Sequence, residues 1–351
     1  MEPPRRNVGA PPEWRLFSVT VPTRNRPAKL RRCLESLAAA REHADCTVFV
    51  CDSSTDPRLR AEVIAACEAF PFVELHHHRG KTRAAARNVC ARVARSELIV
   101  TVDDDVYVEP DTIKLLVEAY CEGRGPRVIA GSMHIAEDWT SPQVLRSIGY
   151  GRPALPGESP SFVLTGLLLY PRALAGAWPW NERVPTQEDR FMGALWRRHG
   201  VQLLHEPSAR AVHDGVPSER LEEQESHIYV NLFDSLIASP APLRAAAYEL
   251  LGFAAGAKLY CRTPDDALRF VRAWAKGHRA FVRDLHRLRA LCRTGPLLEL
   301  LATRTELPGS AAVSNPTIAT FPALDATHGP AGPSRAGTRS VAGPRSSVQQ
   351  L

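Results

Sequence analysis

Residues 98–105 read LIVTVDDD, five aliphatic and β-branched side chains followed by three carboxylates in a row. A short apolar run that ends abruptly in charge is the pattern of a buried strand whose carboxyl end meets solvent or a ligand. The pattern recurs upstream. Residues 16–22, LFSVTVP, lead into Thr23, Arg24 and Asn25, and residues 47–51, TVFVC, lead into the polar turn that opens with Asp52. A third strand is expected over Phe72 to His76. Leu30, Cys33, Leu34 and Leu37 recur at helical spacing behind Pro27, which suits a first helical turn. Further helices are expected from about Arg58 to Ala69 and from Thr82 to Ala94. Strands alternating with helices of this length predict an α/β fold, a doubly wound and mostly parallel sheet. In such sheets ligands bind outside the carboxyl ends of the strands. That rule gathers Pro22, Thr23, Arg24, Asp52 and the triplet Asp103, Asp104 and Asp105 on one edge.

Composition sets the outer bounds. Among 351 residues, 44% are hydrophobic and 23% charged, enough for a sizeable core and incompatible with a fully disordered chain. The net charge of +6 is spread along the chain, which argues against a dedicated nucleic-acid binder. The longest apolar stretch, 243–260, is interrupted by Arg244, Glu249 and Lys258, so no membrane span is expected. Residues 1–14 lack the apolar segment of a secretory signal. The eight cysteines form no CxxC pair and several sit in apolar patterns. They read as reduced thiols and place the protein in the cytoplasm.

The chain divides into a loose arm at 1–15, an α/β region at 16–215 with halves at 16–105 and 106–215, a helical region at 216–307 and a disordered Pro- and Gly-rich tail at 308–351. Within the second half, strands are expected from Arg127 to Ile135 and from Phe162 to Tyr170. A helix from Glu188 to His199 and two short strands near Val201 and Ala209 follow.

Three adjacent carboxylates repel one another unless a cation neutralises them, and Mg²⁺ or Mn²⁺ binds carboxylate and phosphate oxygens together. The pair Glu188 and Asp189 opens an amphipathic helix. Thr186 three residues before Asp189 fits a capping box, in which Asp189 satisfies a backbone donor. A carboxylate there also suits a general base beside an apolar wall. These residues leave both readings open. His213, at the end of a short apolar run, is equally compatible with a structural role. His76, His77 and His78 alternate faces in an extended chain and do not chelate one ion together. Gly80, Lys81, Thr82 and Arg83 open a helix whose N-terminus attracts an anion such as a diphosphate.

Taken in order, these pieces resemble the family-2 glycosyltransferases, inverting enzymes of the GT-A fold. The resemblance rests on Val19 to Asn25, Val50 to Asp56, Ala85 to Asn88, the Asp103–Asp105 triplet, Thr165 and Gly166, Glu188 and Asp189, and His213. It covers about Leu16 to Gly215 and implies a nucleotide-sugar donor, a UDP-sugar first. By that resemblance Pro22, Thr23 and Arg24 line the nucleoside pocket, Asp52 bonds the base, and Arg83 approaches the nucleotide. Asp103 and Asp104 contact ribose, sugar or metal, while Asp105, Asp103 and His213 are the metal candidates, for Mg²⁺ or Mn²⁺. Asp189, with Glu188 beside it, becomes the general base; Gly166 and Trp180 face the acceptor. Cys51 and Ser53 depart from the family's Asp and Gly or Asn, which leaves the base open.

The acceptor is a saccharide, a lipid-linked molecule or a small natural product, and its recognition is expected in the irregular segment from Glu137 to Pro160. The region 269–293 carries seven arginines and Lys276 against Asp284 alone. It reads either as a helix packed on the domain or as a peripheral contact with the inner face of a membrane. Two rival functions share the pattern. A nucleotidyltransferase would carry a Gly-rich loop after the first strand, and Pro22 to Pro27 holds no glycine. A silent nucleotide-sugar-binding scaffold would not need both the acidic triplet and the Glu188–Asp189 pair.

Overall fold

Strand β1 (Phe17–Thr23) is buried along its whole length, a strand covered on both faces as helical crossovers require. The computed structural model describes residues 17–123, 125–135, 138–140, 142–145, 151–155, 158–215 and 221–293. The first half is a succession of βαβ units: α1 (Pro27–Arg41), β2 (Val48–Asp52), α2 (Pro57–Glu68), β3 (Val73–His77), α3 (Arg83–Val93) and β4 (Leu98–Val102). Pro27 occupies the first turn of α1, Asp56 caps α2 by accepting from the amides of Arg58 and Leu59, and Thr82 caps α3 by accepting from Ala85.

The second half brings β5 (Val106–Val108), α4 (Thr112–Cys121), β6 (Arg127–Ile135), β7 (Asp138–Thr140), β8 (Gln143–Leu145), β9 (Gly151–Pro153) and β10 (Leu167–Pro171). It continues through α5 (Arg172–Ala177), α6 (Glu188–Arg198) and β11 (Gln202–His213). The main sheet has the order β3-β2-β1-β4-β10-β6-β11-β5, with β7 beside β6, while β8 and β9 pair separately. Strands β1 to β4, β6 and β11 run one way; β10, β5 and β7 run against them. The sheet is thus mostly parallel, as expected.

Period-two alternation splits the core between the two faces. Leu98, Val100 and Val102 pack with Leu30, Leu34 and Leu37 of α1, whereas Ile99 packs with Tyr170, Trp178 and Trp196 on the opposite side. On that second side, α7 (Gln224–Phe233), a π-helical segment (Asp234–Ala238), α8 (Pro242–Tyr260) and α9 (Pro264–Leu291) follow. Phe191 of α6 stacks on Phe233 at 4.3 Å, and the buried Asp284 of α9 accepts from Arg183 and Tyr229. The C-terminal helices therefore close over the helix that carries Glu188 and Asp189. All eight cysteines are free, five of them buried. No described helix is long and apolar enough to cross a membrane.

Two expectations are corrected. The short strands near Val201 and Ala209 are one strand, β11, which slips register against β6 between His205 and Arg210. Pro207 in that interval donates no backbone hydrogen bond, so the break in the apolar pattern is a bulge inside the strand. The strand expected from Phe162 shortens to Leu167–Pro171, and Phe162 contributes only an isolated bridge to Gln143. The proposed arm at 1–15, the tail at 308–351 and residues 294–307 lie outside the described residues, as does part of 137–160.

Candidate active site

The site begins with Arg87, in the middle of α3. Its side chain is 1% exposed, and a guanidinium buried to that degree requires carboxylate partners. It has two: Nη1 donates to Glu188 Oε1 at 2.7 Å and Nη2 to Asp103 Oδ1 at 2.8 Å. Burial alone would lower the Arg87 pKa, yet the charges of Asp103, Glu188 and Asp189 raise it overall. The next residue, Asn88, accepts from the Trp180 amide at 2.8 Å and donates to its carbonyl at 3.0 Å. One turn of helix thus locks the strand-end acid, the helix-end acid and the intervening chain into one frame.

Asp104 is fully buried in front of β1. Its Oδ2 accepts from Thr23 Oγ1 at 2.7 Å and from Arg26 Nε at 3.1 Å, while Arg26 Nη2 lies 2.5 Å from Oδ1. Burial pushes its pKa up to about 7, against the opposing pull of Arg26 and Thr23. Arg26 Nη1 also reaches Asp105 Oδ2 at 2.7 Å. His213 Nε2 lies 3.5 Å from Asp105 Oδ1 on the other side. Burial would raise the Asp105 pKa too, but the His213 hydrogen bond and the charges of Arg26, His213 and Lys29 outweigh it and hold it at about 2.

Asp189 opens α6 beside Glu188. The residue before the pair, Gln187, adopts φ +63°, a left-handed conformation that costs a non-glycine residue of order 1 kcal/mol. Gln187 is also the N-cap, with no side-chain cap. Thr186 Oγ1 has no hydrogen-bond partner, so the capping box does not form. Among the described residues, Asp189 Oδ1 accepts from the next amide, Arg190 N, at 2.7 Å. Burial, then the neighbouring Glu188 charge, raises the Asp189 pKa to about 6. Glu188 is fixed by Arg87 and by Arg83 at 3.4 Å.

Some of these groups face a cleft of about 1020 Å³, whereas Arg87, Asp104 and Thr23 are buried behind them. Arg26, Arg83, Asp103, Asp105, His213, Glu188 and Asp189 line it, together with Gly166 and with His227 and Tyr260 from the C-terminal helices. A Cβ at Gly166 would stand 2.9 Å from Met133 Sδ, and its carbonyl accepts the Asp103 amide at 3.1 Å. A family model for glycosyl transferase family 2 matches residues 18–174. These residues form a family 2 glycosyltransferase domain.

Two further comparisons agree. The pre-mycofactocin glycosyltransferase of Mycobacterium tuberculosis is 26% identical over 214 residues, covering 58% of this chain and 43% of that protein. The chain therefore matches less than half the length of that relative. Residues 1–349 of S. aureus TarS superpose with TM-score 0.52 at 19% identity, over 82% of this chain and 87% of that one. The same TarS fragment has been solved with UDP and, at TM-score 0.51, with UDP-GlcNAc. At that identity the likeness is one of fold, and the fold is that of GT-A glycosyltransferases.

Within the family 2 domain, Pro22, Thr23, Arg24, Asp52, Asp103, Asp104 and Asp105 all stand at strand ends of one edge, where the βαβ pattern put them. Asp52 is fully buried and accepts from Ser54 N at 2.8 Å and from its hydroxyl. Arg24 is exposed and donates to the Lys81 carbonyl at 3.0 Å. Trp180 lies elsewhere: it is 2% exposed, sits edge-on to Tyr170 and Trp196, and lies under Arg87 at 5.6 Å. Its ring supports the arginine frame and does not line the cleft. Among the described residues no three His, Cys, Asp or Glu side chains form a ready metal cage. Asp105 and His213 approach each other, whereas Asp103 gives Oδ1 to Arg87.

Two participants escaped the sequence reading. Arg26 follows the strand end as the last residue before a helix-starting proline, where a charged side chain reads as solvated. His77 belongs to a histidine run whose alternating faces rule out a shared ion and suggest no other role, yet its Nδ1 lies 3.1 Å from Asp52 Oδ2. His76 and His78 turn to Glu74 and to the Gly80 amide, the alternation that an extended chain imposes.

Proposed function

We propose that this protein transfers a sugar from a nucleoside-diphosphate sugar to an acceptor hydroxyl with inversion at the anomeric carbon, Asp189 serving as general base. Asp189 supports this reading most strongly. It lines the cleft beside the strand-end acids, its pKa is raised to about 6, and it closes no capping box with Thr186. A carboxylate poised near neutral pH is basic enough to take a hydroxyl proton and remains ionised when it must act.

In the proposed step the acceptor oxygen attacks C1 of the donor sugar while its proton passes to Asp189. The bond from C1 to the diphosphate oxygen breaks on the opposite face, so one displacement inverts the centre and no covalent enzyme intermediate is needed. In this reading the nucleoside lies over the strand ends that carry Thr23 and Asp52, and Arg26 and Arg83, which line the cleft, meet the diphosphate. Arg87 takes no part in bond making. It keeps Glu188 in place, and the Glu188 charge in turn keeps Asp189 basic.

The carboxylate of Asp105 and the imidazole of His213 are donors suited to Mg²⁺ or Mn²⁺, and the buried Nδ1 of His213 has no hydrogen-bond partner. Such an ion, held by these two residues and by diphosphate oxygens, would supply charge stabilisation to the leaving group. The TarS fragment's complexes with UDP and UDP-GlcNAc support a nucleotide-sugar donor.

The test is Asp189→Asn. Release of nucleoside diphosphate from a panel of nucleotide sugars should fall by about 100-fold or more, the usual worth of a general base. Binding of the nucleotide should stay within a few-fold of wild type. Undiminished release by the variant would remove Asp189 from the mechanism.

A further inference from the structure

The C-terminal helices α8 and α9 form an antiparallel pair held by Phe253 against Phe270 and Trp274, and by His278 against Glu249 at 2.9 Å. Their outward side is unusual in composition. On α8, Leu243 is 89% exposed and Leu250 73%, with Leu251 and Leu259 about half exposed. Leu243 and Leu250, seven residues apart, fall on one line of the helix with Leu251 on its flank, and they form an exposed leucine stripe that no described residue covers. On α9, Leu268, Val271 and Val282 are also exposed. Exposed apolar surface of this extent marks a place of docking.

The charges on the same pair select the occupant. Arg269, Arg272, Lys276, Arg279, Arg283 and Arg289 occupy exposed positions of α9. From Leu268 to Leu291 no exposed position of that helix is acidic, because its one acid, Asp284, is buried against Arg183 and Tyr229. The acids Asp265 and Asp266 are confined to the first turn, where Asp266 closes a capping box with Thr263. On α8 the single acid, Glu249, is engaged by His278. A second copy docked on this face would set cations against cations. A leucine stripe beside a basic face matches instead a bilayer interface, with apolar side chains in the acyl boundary and cations among anionic headgroups.

We propose that α8 and α9 dock the protein on the surface of an anionic membrane. Tyr260, the last residue of α8, lines the cleft and stacks on Phe270 of α9, so the helix pair reaches the wall of the active site. Docking there would hold the cleft at the lipid surface, beside any acceptor anchored in it.

The experiment is co-sedimentation of the full chain with phosphatidylcholine vesicles, with and without phosphatidylglycerol, across a salt series. The protein should pellet with the anionic vesicles, stay in solution with the neutral ones, and detach as salt rises. The double variant Leu243→Glu/Leu250→Glu should weaken binding by about tenfold or more, and so should Arg272→Glu/Arg279→Glu. All four side chains are exposed, circular dichroism checks their folding, and nucleotide binding by both variants should be unchanged. Failure to bind anionic vesicles, or binding indifferent to both pairs, would overturn the proposal. A homodimer in light scattering that Leu243→Glu/Leu250→Glu dissolves would also overturn it and assign the face to a second copy.

Discussion

The guanidinium of Arg87 lies 2.7 Å from Glu188 Oε1, a buried ion pair that joins α3 to α6 across 101 residues of sequence. Both side chains are almost inaccessible, 1% and 4% exposed, and the same arginine holds Asp103. Replacing it removes the counter-charge from two carboxylates at once. Arg87→Met should therefore destabilise the fold by about 3–5 kcal/mol, the cost of leaving buried charge uncompensated. Urea denaturation at neutral pH measures it. A loss below about 1 kcal/mol would show that the carboxylates find other partners or water.

Asp189 gives the pH dependence of turnover. Its pKa of about 6 lies above the ordinary aspartate value, so the folded protein binds this proton more tightly than the unfolded chain does. Its contribution to stability is fully present below pH 3.8 and is lost as pH rises through about 6. Activity runs the opposite way, since the base works only when ionised. The rate should climb with pH and reach half its plateau near pH 6, in a pH–rate profile taken at saturating donor.

Arg26 offers a test that separates two pH regimes. Asp104 is buried with a pKa of about 7, so at pH 5 it is protonated and at pH 8 it is charged. Arg26→Gln should therefore cost more stability at pH 8 than at pH 5. The guanidinium is 44% exposed and screened by solvent, which limits the difference to about 1 kcal/mol. Thermal melts of the variant and wild type at the two pH values read it directly.

Gly193 of α6 sets two effects against each other. Alanine is the better helix former by about 1 kcal/mol. A Cβ there would stand 2.8 Å from Phe162 Cα and 3.0 Å from the Ser161 carbonyl, backbone atoms that yield little. Overpacking of that kind costs about 1–3 kcal/mol. Gly193→Ala should be destabilising on balance, and it should loosen the Phe162 wall of the cleft, measurable as a lower melting temperature.

The parallel half of the sheet was legible because each strand is a short apolar run closed by turn residues, and each helix repeats its apolar side chains at 3.6-residue spacing. The strand-end rule then collected Thr23, Asp52 and the acidic triplet without any knowledge of contacts. Where the pattern broke, inference broke with it. Pro207 splits the apolar signal of β11, though the strand pairs with β6 up to His205 and again from Arg210. Thr186 matches a capping box by spacing alone, but the left-handed Gln187 turns the chain so that the box cannot close. Trp180 reads as a sugar platform until its burial beneath Arg87 is seen. Arg26 and His77 belong to the site through contacts across the fold, with Asp104 and Asp52, and spacing carries no trace of such contacts.

In the proposed reaction, the edge formed by Thr23, Asp52, Asp105 and His213 binds a nucleoside diphosphate together with a divalent ion. Calorimetric titration of UDP, GDP, TDP and CDP, each with Mn²⁺ and again with EDTA, tests it most directly. One of the four should bind with Mn²⁺, lose most of its affinity in EDTA, and lose it likewise in Asp105→Asn. Absence of binding by all four in both conditions would rule out a nucleotide site at this edge.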